Sequence, residues 1–527
     1  MELPTTLYPL WMMVGPVAYG SLALIATFTP GSRPSFLLRA ARWSGWLGLA
    51  TALLAAAMAY VKGSMQTPLL GAGGLGLSLR LDALSALMLV MIALLALVIL
   101  RYSATYMDGD PHQGVFMGRL GLTISAVQCL VMSSNLLLFF LAWMATGISL
   151  QRLLVFYPER PGAQSAGRKK RIISRTNEAA LLGAFLLVYQ ATGTGQLQAI
   201  FIDLTRPDFV AAHARLIGLA GVLMALAALL KSAQFPTHSW VTEVMETPTP
   251  VSALLHAGIL NAGPFLVVRF SWLIASAPVA EGLLILVGGF TALFASTALL
   301  PQPAIKTALG YSSAAHMGFM LMVSGFGIYS PVMLHLVAHS FYKAHAFLAS
   351  GSVVDTLRTE RLSLPVRRGH PLRIGGSLLL ALAIYFGLAW LWGVRSDEHP
   401  GLLGVGVIVV LGLSQIIAPA FDTKGPGTAV LYTIGMATGV GMAFFSLESS
   451  ADLLLRNMVP PPGTMHSGRI FLMGLVLLAF TIAVLLQIVG PALPLSRRMQ
   501  RLALHVRNGL YANAWSDRLS GTYRTSA

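Results

Sequence analysis

Apolar stretches of about 20 residues, each long enough to cross a bilayer as a helix, recur about fifteen times along this 527-residue chain. No water-soluble core accommodates that pattern, because a single core stops growing at a few hundred residues. Composition agrees: charged residues make up 10% and AVILMFWYC 56%, against roughly a quarter charged in soluble domains. A soluble multidomain enzyme, a disordered chain and a nucleic-acid module are thereby excluded. What remains is an all-α polytopic membrane protein of about 15 transmembrane helices, with the lipid bilayer as its surroundings. The opening MELPTTLYPLW has neither a basic n-region nor a small-residue cleavage site, so the first apolar run is expected to be a retained helix.

The net charge of +16 reads as a topology signal rather than a nucleic-acid surface, because the basic residues punctuate the apolar runs instead of covering one face. With loops numbered by the span each follows, the odd loops and the C-terminal tail carry most of them. They include Arg33, Arg39, Arg42, Arg101, Arg119, Arg152 through Arg175 with the run Arg168-Lys169-Lys170-Arg171, Lys306, Arg358 through Arg373, Lys424 and the tail arginines. The excess of lysine and arginine in cytoplasmic loops then puts the N-terminus in the periplasm of a bacterial inner membrane and the C-terminus in the cytoplasm. Cys129, the single cysteine, excludes a disulfide within the chain. Gly71-Ala-Gly-Gly74 lacks the lysine and hydroxyl residue of a phosphate-binding loop and reads as a flexible loop.

Two lysines do not fit the loop pattern. Lys231 ends the apolar run LIGLAGVLMALAALL, and Lys343 lies inside MLHLVAHSFYKAHAFLA. An ionisable group at membrane depth is costly and is a functional candidate for that reason. QFPTHSWVTEVME reads as helical after Pro236, which places Lys231 at an interruption within one long span over 215–246. His335, His339 and Lys343 follow at i, i+4 and i+8, on one helical face. His238 follows Pro236, His256 lies on the neighbouring span, and His316 on the span between. The spacing H-x-x-x-H also suits a metal, but the zinc form H-E-x-x-H is absent and no nearby carboxylate or thiolate completes a site. A row of groups that titrate near neutrality suits a proton relay better, and no metal or cofactor is expected. His345, two residues after Lys343, points to a different face and reads as core packing.

These residues also carry a resemblance. Lys231 through Trp240, then Glu243-Val-Met-Glu246 and the run through Pro250 to His256, are similar to the signature of the antiporter-like proton-conducting subunits of respiratory complex I and Mrp-type antiporters. Ile305-Lys306 with Tyr311-Ser312-Ser313, the His335–Lys343 row and Arg175-x-x-Glu178 fit the same family. The resemblance covers roughly residues 80–350. It implies two inverted five-helix repeats with broken helices. It also implies a relay in which Lys231 is the central protonatable lysine and His256, His335, His339 and Lys343 are members, with Glu178, Glu243, His238 and Lys306 as further candidates. The corresponding organisation is 1–110 for N-terminal helices, 111–275 and 276–425 for the repeats, 426–490 for C-terminal helices and 491–527 for a cytoplasmic amphipathic tail.

Departures from the family are equally informative. Its complex I members carry a glutamate straight after the tryptophan of the fifth helix, where it pairs with the central lysine; here Met144 follows Trp143. The second repeat should hold a lysine in its own broken helix, yet IGGSLLLALAIYFGLAWLWG carries no charge. The long lateral helix of the distal complex I subunit is replaced by LALHVRNGLYANAWSDRL. That combination resembles the membrane subunits of DAB-type inorganic-carbon accumulation complexes. The resemblance implies a transporter subunit rather than an enzyme, conducting protons or another cation. Its implied partner is a large cytoplasmic zinc protein, similar to a β-carbonic anhydrase, that hydrates carbon dioxide to bicarbonate. A complex I pump subunit, an Mrp-type sodium/proton antiporter subunit and a structural anchor with a vestigial relay are the alternatives.

Overall fold

The computed structural model describes residues 8–244, 246–351, 371–394, 400–422, 427–461, 465–489 and 497–521. Helices dominate. In chain order they are α1 (Val14–Phe28), α2 (Ser35–Lys62), α3 (Ala83–Tyr106), α4 (Gln113–Val131), α5 (Leu136–Leu154), α6 (Pro161–Thr192), α7 (Leu197–Leu204) and α8 (Pro207–Ala212). Next come α9 (Ala214–Lys231), α10 (Ser239–Thr242), α11 (Thr249–Ala257), α12 (Ala262–Arg269), α13 (Ser271–Ala275), α14 (Pro278–Leu299), α15 (Ile305–Gly325) and α16 (Ser330–Leu348). The last are α17 (Pro371–Leu391), α18 (Pro400–Asp422), α19 (Gly427–Leu455), α20 (Ser467–Val489), α21 (Arg497–Arg507) and α22 (Ala512–Ser520). Thirteen spans among the described residues are long and apolar enough to cross a membrane, α11 and α12 together forming one of them. Helices α15 and α16, of 21 and 19 residues, run beside them but carry Lys306, His316, His335, His339 and Lys343, which lowers their hydropathy.

Local sequence explains the helix starts. Asp82 caps α3 by accepting the Ser85 backbone N–H, and Asn135 caps α5 by accepting that of Leu138. Proline occupies the first turn of α6, α11, α14 and α16, where its missing N–H costs nothing. Between α2 and α3 the chain forms β1 (Met65–Gln66), β2 (Leu70–Ala72), β3 (Leu75–Leu77) and β4 (Arg80–Leu81), paired antiparallel as β1 with β4 and β2 with β3. The glycine run is therefore an ordered hairpin and not a flexible loop. Gly73 and Gly74 take φ of 59° and 75°, the turn geometry that a two-residue hairpin demands. Leu79 bridges Ser133 and Asn135 bridges Gln196, which seats this small sheet on the α4–α5 and α6–α7 turns. We call this the hairpin end of the bundle and the opposite one the tail end.

Two sequence expectations need correction. The span expected over 178–194 starts at Pro161 instead, because a buried stripe at helical spacing (Ala163, Ala166, Gly167, Lys170, Asn177, Leu181, Ala184) runs straight through the basic residues. Arg168 through Arg171 thus lie in a helix, with Lys169 and Lys170 buried. Likewise the helix expected to continue after Pro236 does not: α9 stops at Lys231, and only the four residues of α10 are helical before α11. The bundle closes tightly around this break. An added Cβ at Gly263 would meet Ser232 Oγ and the Ala228 carbonyl, so glycine lets α12 lie against the end of α9. The expected basic loop from Arg358 to Arg368, and Lys424, lie outside the described residues.

At the hairpin end Arg269 closes a buried ionic knot. Its guanidinium reaches Asp82 at 2.5 and 3.3 Å and Ser85 Oγ at 2.7 Å, and Arg80 joins Asp82 at 3.0 Å. Burial opposes ionisation of Asp82, but the Arg269 and Arg80 guanidiniums and the Ser85 N–H outweigh it and hold the carboxyl below its ordinary range. A carboxyl lowered in this way contributes stability above its unfolded pKa and loses it as pH falls through the lowered value. Asp82→Asn should leave Arg269 buried and unpaired and cost about 3–5 kcal/mol. Thermal unfolding of the purified protein should show a lowered midpoint for the variant, and acidification should erode the midpoint of the wild type but not of Asp82→Asn.

Candidate functional site

Lys231 ends α9 inside the bundle, where its Nζ lies 4.3 Å from the ring centre of Trp143 on α5. Trp143 is fully buried and is fixed from behind, its Nε1 donating to Asn177 Oδ1 at 2.6 Å while Asn177 donates to the Ala227 carbonyl at 3.0 Å. Asn177 and Glu178 come from α6, and so does Lys170, whose Nζ donates to the Gly147 carbonyl at 2.5 Å. A cavity of about 20 Å³ opens between Lys170, Ser174, Asn177, Lys231 and Trp240. That volume suits a single water among several polar partners. Glu178, buried and accepting from Arg175 at 2.7 Å, is the acid whose charge acts on both Lys231 and Lys170. Met144 on α5 brings no charge to Lys231, whereas Glu178 on α6 does.

The second cluster lies on α15 and α16. His316 and His335 meet ring to ring with Nδ1 and Nε2 2.8 Å apart, and the His339 ring centre is 5.0 Å from that of His316. Lys343, wholly buried, donates to Ser312 Oγ at 2.6 Å. Among the described residues neither ring nitrogen of His339 has a hydrogen-bond partner, nor has His256 Nδ1. Buried polar atoms of that kind call for water or a mobile proton to serve them. Among the described residues no three His, Cys, Asp or Glu side chains gather as metal ligands.

The two clusters are joined by α11 and the residues after it. Ile259 and Leu260 line the Lys231 cavity, Ser232 Oγ donates to the Leu260 carbonyl, and the next residue, Asn261, donates to Ser340 Oγ on α16 at 2.7 Å. His256 stacks on Phe347 of α16 with ring centres 4.2 Å apart, within electrostatic reach of His339 and Lys343. Polar side chains thus recur across the bundle from Lys170 to His335, and groups of this kind can pass protons.

The remaining candidates fall elsewhere. Glu243 accepts both of its short contacts from Lys169, at 2.6 and 2.7 Å. His238 is fully buried among Phe235, Phe294 and Tyr311, with both ring nitrogens unpartnered among the described residues. Lys306 is half-buried at the start of α15, with Tyr106 and Arg160 as its charged or titratable neighbours. His345 is on a different face, as expected, but is exposed and not packed in the core. His316, named on the span between, does join the row, whereas Lys169, Lys170, Asn177 and Asn261 were missing from the sequence candidates. Only the helical stripe through Lys170 and the lone asparagine inside ILNAGP pointed to any of them.

The chain is similar to known proteins over most of its length. Residues 133–365 match the family described as NADH:quinone oxidoreductase/Mrp antiporter, TM, and residues 70–117 match the N-terminus of complex I chain 5. A relative from Halothiobacillus neapolitanus, probable inorganic carbon transporter subunit DabB2, is 36% identical over 96% of this chain and 93% of its own length. NADH-quinone oxidoreductase subunit L of Rhodobacter capsulatus is 34% identical over 71% of this chain, which spans only 52% of that protein. In fold, the chain resembles a chain of the Mrp complex from Dietzia sp. with a TM-score of 0.64 at 22% identity, over 98% of this chain and 60% of that one.

If His256, His335, His339 and Lys343 form one path, their losses should not add. Each single alanine variant should lower proton flux into vesicles by at least about tenfold. Double variants should be scarcely worse, and independent multiplicative losses would mark them as separate structural residues.

Proposed function

Because this chain belongs to the antiporter-like membrane subunits shared by NADH:quinone oxidoreductases, Mrp antiporters and the probable inorganic carbon transporters, we propose that it conducts protons, or another small cation, along the line from Lys231 to His335. The observation that carries this reading is the set itself: half-buried Lys231, buried Lys343 and four histidines on either side of the Asn261–Ser340 hydrogen bond in an apolar bundle. Ionisable groups at that depth are costly, and rows of them mark proton or ion pathways. Each member takes a proton from one neighbour and gives it to the next, and Glu178 balances the charge that Lys231 carries.

The cation flow drives inorganic-carbon accumulation. The match to DabB2 extends over nearly both full lengths, whereas the match to subunit L stops at about half of it. Hydration of carbon dioxide to bicarbonate belongs to a large cytoplasmic zinc-containing partner similar to a carbonic anhydrase, and this chain supplies the driving ion. The tail end faces the cytoplasm, since Arg33, Arg152, Arg160 and Lys306 gather there. The repeats over 111–275 and 276–425 divide the work unequally, because the second has no lysine of its own on α17.

Two variants test the core of this reading. Lys231→Ala should abolish inorganic-carbon-dependent growth while the protein still reaches the membrane, and Lys231→Arg should fail equally, since arginine does not release its proton. Normal growth with either variant would sink the role of Lys231. Glu178→Gln should lower flux by about tenfold, because two lysines then share the site without an acid. Adding Met144→Glu, one residue from Trp143, should recover part of it. No recovery with the protein intact would mean that α5 cannot supply the balancing charge.

A further inference from the structure

Away from the Lys231 path, α2 and α3 touch at one level and leave a gap at another. Gly45 lets Leu97 of α3 lie directly on α2, where an added Cβ would be 2.9 Å from Leu97 Cδ1. Toward the tail end from that contact a cleft of about 580 Å³ opens. Leu38, Arg42 and Trp46 line it from α2, and Leu97, Val98 and Arg101 from α3. Its size falls within the roughly 300–1,000 Å³ of sites that take small molecules. None of the lysines and histidines of the proposed path lines it.

The two arginines decide what the cleft accepts. Helices α2 and α3 have 28 and 24 residues, which is about 42 and about 36 Å at 1.5 Å per residue. Centred in a hydrocarbon core of about 30 Å, each overhangs it by only a few ångströms. Arg42 is the eighth residue of α2 and Arg101 the sixth from the end of α3. Both Cα atoms therefore lie about one helical turn inside the tail-end edge of the core. A guanidinium there needs a counter-charge within reach of its stem. Neighbouring arginines find one in the protein: Arg33 pairs with Asp108 at 2.9 Å, and Arg119 donates to the Arg152 carbonyl at 2.8 Å. Among the described residues Arg42 and Arg101 have no hydrogen-bond or ion-pair partner.

Two unopposed positive charges beside an aliphatic cleft match one class of molecule in a bilayer, a lipid with an anionic head. Trp43 and Trp46, both exposed on α2, add the amphipathic rings that settle at headgroup level. A membrane helix of another subunit fits less well, because it would have to bury carboxylates against both arginines and desolvate two ion pairs. A lipid phosphate keeps its outer side in water.

We propose that the α2–α3 cleft binds an anionic phospholipid of the tail-end leaflet, its phosphate held by Arg42 and Arg101 and one acyl chain lying along Leu38, Leu97 and Val98. Cation conduction plays no part in this site.

The probe is phosphatidylglycerol with a photoactivatable acyl chain, added to the full chain in detergent, with labelled peptides identified by mass spectrometry. Label should fall on residues 38–46 and 97–105, and several-fold less from the phosphatidylcholine analogue. Each arginine near the surface contributes about fivefold to affinity for an anionic lipid, so Arg42→Gln with Arg101→Gln should raise the half-maximal concentration about thirtyfold. Arg42→Lys with Arg101→Lys keeps the charge and should retain most of the labelling, which separates electrostatics from misfolding. Val98→Trp, at an exposed position, should fill the cleft and reduce labelling with both arginines in place. Equal labelling by phosphatidylcholine, or no change in the glutamine variant, would overturn the proposal. So would equal loss in the lysine and glutamine variants, or full labelling of Val98→Trp. Displacement by inorganic phosphate at equal concentration would make this a site for the free anion instead. In native membranes a photoreactive residue at Val98 should capture lipid, and capture of another membrane subunit would sink the assignment.

Discussion

A helix that stops inside a bilayer frees backbone N–H and C=O groups that lipid cannot satisfy, and the bundle is built around one such stop. After Lys231 the chain satisfies itself with side chains. Gln234 Nε2 donates to the Ser232 carbonyl, Thr237 Oγ1 to the Gln234 carbonyl, and Thr291 of α14 accepts the Phe235 N–H. These contacts demand protein on every side of the break. They explain why α9 is hemmed in by α6, α12 and α14, and why α11 with α12 is the most buried of the apolar spans. The same enclosure keeps water out of the path except where polar side chains make room for it. The break positions Lys231, and the packing that pays for the break makes the lysine's surroundings dry.

What the sequence made legible is what hydropathy makes exceptional. Lys231, His335, His339 and Lys343 stand out because each interrupts an apolar run, and helical spacing aligns the last three. Lys169 and Lys170 were hidden for the converse reason: they sit among Arg168 and Arg171, and a basic cluster beside a span reads as a loop. Only burial distinguishes them, since α6 turns Lys169 and Lys170 inward and leaves Arg168 and Arg171 more exposed. Glu178 and Lys231 were both named, but not that the one acts on the other, because the contact of α6 with α9 depends on packing between elements and not on spacing within one. Asp517, which also reaches Lys169, lies far from it in sequence, and no local pattern links them.

The resemblance leads one to expect the acid beside the central lysine on the fifth helix. Here α5 offers Trp143, whose ring face attracts the ammonium without carrying charge. The negative charge that acts on Lys231 and on Lys170 comes from Glu178 of α6, which Arg175 also holds. Further along the same helix Lys169 is shared by Glu243 and Asp517.

The two ends of the bundle are held by different physics. At the hairpin end Arg269 and Asp82 are buried, half-buried Arg80 joins them and a small sheet caps the group, so that breaking the Arg269–Asp82 pair strands a buried charge. At the tail end the corresponding charges are partly wet, two carboxylates compete for one lysine, and a cavity separates them from Lys231. His316 and His335, half-buried and adjacent on α15 and α16, lie on the other side of the Asn261–Ser340 hydrogen bond from Lys231. If the chain conducts protons as proposed, that hydrogen bond is where the lysine side and the histidine side of the path meet.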